Sequence, residues 1–194
     1  MGFANYSNGF REGAMIRGTA LHDAGFGRVW YVDAKTGYGA DGNSGKRRDR
    51  PFLTMSKAFT QVDSGDTIFF RGKVREELST PAGVFDVTVI GAANRPRHAD
   101  DHSESSSPGR GSSSATWAPP ASPTAATSLC IVRQQGWSFR NILFDCPVDA
   151  AALQLNRDAA ADDSERDASH TSVYGCRFAS GLIGIQNAGG ASFC

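Results

Sequence analysis

The sequence predicts a mainly β solenoid, a chain of short strands wound into coils that lie on one another. Three observations predict it. Glycine is abundant, at 22 of 194 residues, and helix-favouring runs are scarce. The C-terminal third is written twice: Trp137-Ser-Phe139-Arg-Asn141-Ile142-Leu143-Phe144 and then Ala152-Leu153-Gln154-Leu155 is matched by Thr171-Ser-Val173-Tyr-Gly175-Cys176-Arg177-Phe178 and then Leu182-Ile183-Gly184-Ile185. The apolar runs in both copies have strand length and are parted by residues that tolerate left-handed backbone, with no 3.6-residue stripe.

Stacking explains the repeat. One coil of short strands cannot bury its apolar side chains alone; a second coil about 4.8 Å away pairs the backbone and covers the core. Phe139, Ile142 and Phe144 then map onto Val173, Cys176 and Phe178, Asn141 onto Gly175 at a sharp corner, and Leu153 and Leu155 onto Ile183 and Ile185. This pattern resembles the right-handed parallel β-helix. The competing reading is a β-sandwich with a coincidental match.

Residues 1–28 form an N-terminal arm with scattered apolar side chains among Gly, Asn and Ser. It reads either as a frayed terminus or as an arm that orders against another chain, with Phe3, Tyr6, Phe10, Met15 and Ile16 as candidate partner-binding residues. Residues 29–194 are read as the β-helix domain. Val29–Asp33 is a strand by its β-branched and aromatic content. Lys35–Asp49 is a Gly- and Asp-rich loop whose Asp41-Gly42-Asn43-Ser44-Gly45 run departs from the EF-hand spacing and reads as a plain turn. Lys46-Arg47-Arg48 reads as a solvated loop, with an anionic contact as the alternative.

Residues 51–62 are expected to form a helix, with Pro51 at the first helical position and Phe52, Met55, Phe59 and Val62 on one face. Laid across the open end of the coils, it would cap their unpaired edges. Strands are expected at Thr67–Arg71, in Lys73–Glu77, over Val84–Gly91 after a turn at Pro81-Ala82-Gly83, and at Leu129–Val132. Residues 92–127, with five of the eight prolines, read as a flexible insertion to which Trp117 anchors the return. Asn156–His170 is a second polar loop.

The order of Val29–Asp33, a Gly-Asn-Ser loop, Pro51-Phe52-x-Thr54, Gly65-Asp66-Thr67-Ile68-Phe69, Arg75-Glu76, Val87-Thr88-Val89-Ile90-Gly91 and Arg95-Pro96 resembles the N-terminal segment of pectate-lyase-like right-handed β-helix proteins, including those of tailed bacteriophages. The leader Gly13-Ala-Met15-Ile16-Arg17-Gly18 is similar to leaders of phage virion proteins of that group. The resemblance implies a fold, and with it a structural virion protein: a head spike, fibre or tail-associated component, made in the bacterial cytoplasm and built into the virion. Its partners would be other virion proteins and further copies of itself, with a trimer as one form. The alternative is a tailspike-type depolymerase, a lyase or glycoside hydrolase, or a non-catalytic adhesin, acting on a host surface polysaccharide.

The residues themselves carry little chemistry. Formal net charge is +0, from 20 basic and 20 acidic residues, which argues against a nucleic-acid partner. There is no nucleophile elbow, P-loop, HExxH or dinucleotide fingerprint, so no catalytic residue and no cofactor is expected. His98-Ala-Asp100-Asp101-His102 and the carboxylates Asp158, Asp162, Asp163, Glu165 and Asp167 read as solvated loops rather than metal sites. Arg133, Arg140, Arg157 and Arg177 are nominal candidates for the basic residue of a lyase. Cys130, Cys146, Cys176 and Cys194 lack metal-ligand spacing and read as small core residues, the alternative being one disulfide formed by Cys146 or Cys176 with a neighbour through coil stacking. No signal peptide and no bilayer-spanning run is present, so a soluble cytosolic product without a membrane partner is expected.

Overall fold

The computed structural model describes residues 27–34, 37–92, 115–122, 127–147, 149–156, 168–181 and 183–188. β1 (Val29–Asp33) is followed by a short helix, α1 (Met55–Phe59). The remaining strands come in threes: β2 (Thr67–Arg71), β3 (Lys73–Arg75) and β4 (Leu78–Ser79); β5 (Thr88–Gly91), β6 (Thr116–Ala118) and β7 (Cys130–Val132); β8 (Ser138–Arg140), β9 (Leu143–Cys146) and β10 (Ala151–Leu155); β11 (Ser172–Tyr174), β12 (Arg177–Ser180) and β13 (Ile183–Asn187).

The fold is mainly β and its sheets are parallel. Strand order is β1-β2-β5-β8-β11 in one sheet, β3-β6-β9-β12 in the second and β4-β7-β10-β13 in the third. The chain visits the three sheets in the same order four times, each circuit pairing with the one before.

Register stacks like on like. In the first sheet Trp30, Ile68, Val89, Phe139 and Val173 are successive partners. In the second, Val74, Trp117, Phe144 and Phe178 are. In the third, Leu78, Cys130, Leu153 and Ile185 are. These are the inward positions of the alternating strands, and from Trp30 to Leu153 nearly all are buried. Phe144 lies between two rings, 6.0 Å from Trp117 and 5.3 Å from Phe178, the latter pair only 9° from parallel. Each such pair contributes about 0.5–1.5 kcal/mol beyond its buried area.

The corners are stacked too. Asp86, Gly136 and His170 have φ of 56°, 76° and 57°, and each stands two residues before register partners Thr88, Ser138 and Ser172. Asp86 N donates to Gln135 O at 3.2 Å and Gly136 N to Ser169 O at 3.0 Å, so each corner is tied to the next. The opposite end of the same sheet turns at Asn141 (φ 55°) and Gly175 (φ 63°). A Cβ on Gly175 would stand 2.6 Å from Asn141 Oδ1, so the corner needs glycine for room as well as for φ.

Four expectations change. The helix is Met55–Phe59, not 51–62. Pro51 and Phe52 are extended, because Phe52 bridges Val32 in parallel, accepting from Asp33 N at 2.8 Å and donating to Tyr31 O at 2.8 Å. Thr54 is the N-cap, its hydroxyl accepting from Lys57 N at 3.1 Å. The strand expected over Val84–Gly91 begins at Thr88, since Asp86 takes the corner. The insertion expected over 92–127 contains β6, whose Trp117 is wholly buried; residues 93–114 and 123–126 of it lie outside the described residues. Finally, Leu153 pairs with Ile185 and Ala151 with Ile183, two residues off the expected match, whereas Phe139–Val173 and Phe144–Phe178 pair as the repeat predicts.

Met55, Ala58 and Phe59 of α1 are buried, and the Phe59 ring lies 5.3 Å from Trp137 and 6.2 Å from Trp117. Burying three indoles requires three acceptors for their N–H groups. Trp30 donates to Asp66 Oδ2 at 2.8 Å, Trp117 to Glu76 O at 2.8 Å and Trp137 to Val84 O at 3.0 Å.

Candidate functional site

Two surfaces stand out. One is the face presented by β11, β12 and β13, the outermost strands of the three sheets. Its inward positions are the ones that are sealed a circuit earlier. Phe178 is 38% exposed and Ile185 44%, against 0% for Phe144 and Leu153. Tyr174, on the outer side of β11, is also exposed. Among the described residues these strands pair on one side only.

The other surface is a cleft of about 550 Å³ between the 41–46 loop and residues 57–63, with Trp30 and Phe52 beneath it. The loop is pinned by its own polar groups. Asp41 Oδ1 accepts from Leu53 N and Thr54 N, each at 2.9 Å, and its Oδ2 from the Thr54 hydroxyl at 2.9 Å. Asn43 Nδ2 donates to Pro51 O at 2.8 Å. The Asp-Gly-Asn-Ser-Gly run is thus the structural turn the sequence suggests, its carboxylate spent on backbone. Below the cleft, Asp66 is buried and joins the start of β1 to the approach of β2. It accepts from Arg28 N at 2.6 Å, Asp63 N at 2.9 Å and the Trp30 indole.

Glu76 closes the other side of α1. Its two carboxylate oxygens accept from Met55 N at 2.8 Å and Ser56 N at 2.7 Å, satisfying two of the open N–H groups of the first turn. Burial nonetheless pushes its carboxyl above the ordinary glutamate range. The two backbone N–H groups pull it down, without overcoming that, and Asp41 adds to the rise.

The residues singled out in the sequence are scattered. The candidate partner-binding Phe3, Tyr6, Phe10, Met15 and Ile16 lie outside the described residues. So do His98, Asp100, Asp101 and His102, the carboxylates of residues 158–167, Arg157, Leu182 and Cys194. Arg133, Arg140 and Arg177 stand on or beside three different strands, and Arg140 Nε donates to Ser138 Oγ at 3.0 Å. Asp145, on β9, pairs with Lys73 Nζ at 3.5 Å, and its register partner on the next circuit is Ala179. Among the described residues no group of three or more His, Cys, Asp or Glu could hold a metal ion, and no helix is long and apolar enough to cross a membrane. Cys130, Cys146 and Cys176 are free thiols, and burial pushes all three above the ordinary thiol range.

Sequence reading did not find the cleft. Its signal is the Lys46-Arg47-Arg48 run, whose members part in three directions. Lys46 Nζ stands 5.8 Å over the Trp30 ring, Arg47 forks onto Asp49 with two contacts of 2.9 Å, and Arg48 lies 5.9 Å over Phe69. No family model, curated protein or solved structure matches the chain.

Proposed function

We propose that the chain is a right-handed parallel β-helix serving as a structural component of a tailed-bacteriophage virion, a head spike, fibre or tail-associated protein that attaches to other virion proteins and to copies of itself. The observation that carries the reading is the column Trp117–Phe144–Phe178 running through parallel strands that pair in register. Repeated parallel crossovers are right-handed in nearly all proteins, which supplies the hand. Stacked circuits of this kind make a stiff rod whose backbone hydrogen bonds run along its length, a suitable material for a particle exposed to proteases and shear. In this reading α1, with Phe59 against Trp117 and Trp137, is the cap of the first circuits. The loop at 45–52 shields the outer edge of β1, as Tyr31 N donates to Gly45 O at 2.7 Å.

The phage assignment is supported by the leader and by the order of motifs from Val29 to Pro96. Electron microscopy of particles assembled without the gene is its test. Missing or shortened density at one place on the particle is expected, and particles of unchanged outline and composition would contradict the assignment.

A further inference from the structure

The first sheet holds one residue type at each row of its strands. Where the chain enters it, successive circuits place Gly65, Asp86, Gly136 and His170 at the corner, all with positive φ. Two residues later come Thr67, Thr88, Ser138 and Ser172, register partners that all carry a hydroxyl. Ser172 Oγ donates to Ser138 Oγ at 2.8 Å. The next row is inward and apolar: Ile68, Val89, Phe139 and Val173. β11 is the last of these strands, and among the described residues nothing pairs with its outer edge. Ser172 N donates back to Trp137 O at 2.9 Å, and N–H groups alternate along a strand, so Val173 N points away from β8. The Val173 side chain is only half-buried, against 0% exposure for Val89 and Phe139 in the same row.

The residue types that fit this edge recur in the sequence after β13. Gly190-Ala191-Ser192-Phe193 repeats the spacing of Gly136-Trp137-Ser138-Phe139: a corner glycine, a hydroxyl two residues on, and an apolar residue next. The approach is of similar length. Val132 and Asn187 both pair with Leu155, from opposite sides, and the corner follows Val132 by four residues and Asn187 by three. We propose that the outer edge of β11 is a strand-docking site whose occupant is this chain's own segment 190–194, with Ser192 in register with Ser172 and Phe193 with Val173. Those residues lie outside the described residues. In this arrangement Ser192 N donates to Thr171 O, as Ser172 N does to Trp137 O, and Val173 N donates to Ser192 O, as Asn141 N does to Tyr174 O one row on. Phe193 extends the inward row over Val173. The docking is complete within one chain and needs no virion role.

Amide hydrogen exchange, read residue by residue by nuclear magnetic resonance, tests the proposal on the full chain and on a variant ending at Ala188. That variant keeps the bond from Ala188 N to Leu155 O, so β13 stays whole. The Val173 amide is expected to exchange at least about tenfold more slowly in the full chain, at every protein concentration. The Ser138 amide, bonded to Val87 O, serves as the folding control and should be equally protected in both. Phe193→Asp should abolish the protection of Val173 and Phe193→Leu should keep it. In the unaltered chain, nuclear Overhauser contacts should join the Phe193 ring to the Val173 methyl groups, a reading that needs no variant. Absence of those contacts, equal exchange of Val173 with and without the segment, or protection that survives Phe193→Asp would each overturn it. Protection that grows with concentration would also overturn it, by assigning the edge to a second copy.

Discussion

Gly175 shows how closely one residue is held by the circuit beneath it. Its φ of 63° is unfavourable for any residue with a Cβ, and that Cβ would meet Asn141 Oδ1 at 2.6 Å. Gly175→Ala is expected to cost about 1–3 kcal/mol in a urea titration, and unchanged stability would mean the corner is not built this way. Gly136 is held in the same manner by the Asp86 side chain. In the core, Phe144→Ala is expected to cost about 3–5 kcal/mol, because the ring is sealed between Trp117 and Phe178. Phe178→Ala should cost clearly less, its ring being 38% exposed. Equal losses would contradict the layered core. The cysteines allow a third check at this scale. A buried, protonated thiol reacts slowly, so Cys130, wholly buried on β7, should resist alkylation in native protein and react only with unfolding. Rapid labelling of Cys130 under native conditions, read by peptide mass, would contradict its place in the column.

At the scale of elements, α1 is too short to stand by itself and is held by what caps it. Thr54→Ala should cost about 1 kcal/mol through loss of the N-cap. Glu76→Gln should cost more, since an amide can accept from only one of the two N–H groups that Glu76 now serves. The pH dependence has a definite sign. Glu76 is raised in the fold, so the folded chain holds a proton that the unfolded chain has lost over the window just above the ordinary glutamate range. Its contribution is therefore greatest at low pH and declines as pH rises through that window. The stability of wild type relative to Glu76→Gln should fall in the same direction, and a difference that rises with pH would contradict the burial of this carboxyl.

Elements also show what the sequence could carry. β1 and β2 were legible to the residue, because β-branched and aromatic runs bounded by Gly and Asp leave little choice. The Asn141–Gly175 corner was legible because both residue types tolerate positive φ. The register of β10 on β13 was not: side chains alternate with period two, so a shift of two residues keeps every face and leaves the hydrophobic pattern unchanged. Pro51 suggested a helix start, but a long-range bridge from Phe52 to Val32 overrode the local signal. β6 was hidden because three residues are too few to show a period, and Asp86 because nothing in its type announces a left-handed corner. The cleft was the least legible feature, since Lys46 and Lys57 come to line one surface only through the bridge from Phe52 to Val32.

For the whole molecule, four circuits through three parallel sheets create a single continuous interior. Such a body should unfold with the tertiary signal of its buried tryptophans and its far-ultraviolet β signal moving together, as neighbouring circuits share one core. Two well-separated transitions would argue for independent units instead. The proposed virion role rests on the resemblance read from the sequence, while the stacked interior bears on the fold alone. The interior also explains why chemistry was so hard to read from the chain: most of the distinctive side chains, including Trp117, Trp137, Phe139 and Phe144, are spent on packing.

The stacked architecture stands or falls on the contact between Phe144 and Phe178. In protein labelled at phenylalanine, nuclear Overhauser contacts should connect these two rings, which stand 5.3 Å apart, and the backbones of Arg177–Ser180 and Leu143–Cys146 should show the cross-strand pattern of parallel pairing. A folded protein with no contact between the rings, or with the close Hα–Hα contacts of antiparallel strands, would contradict the stacked architecture.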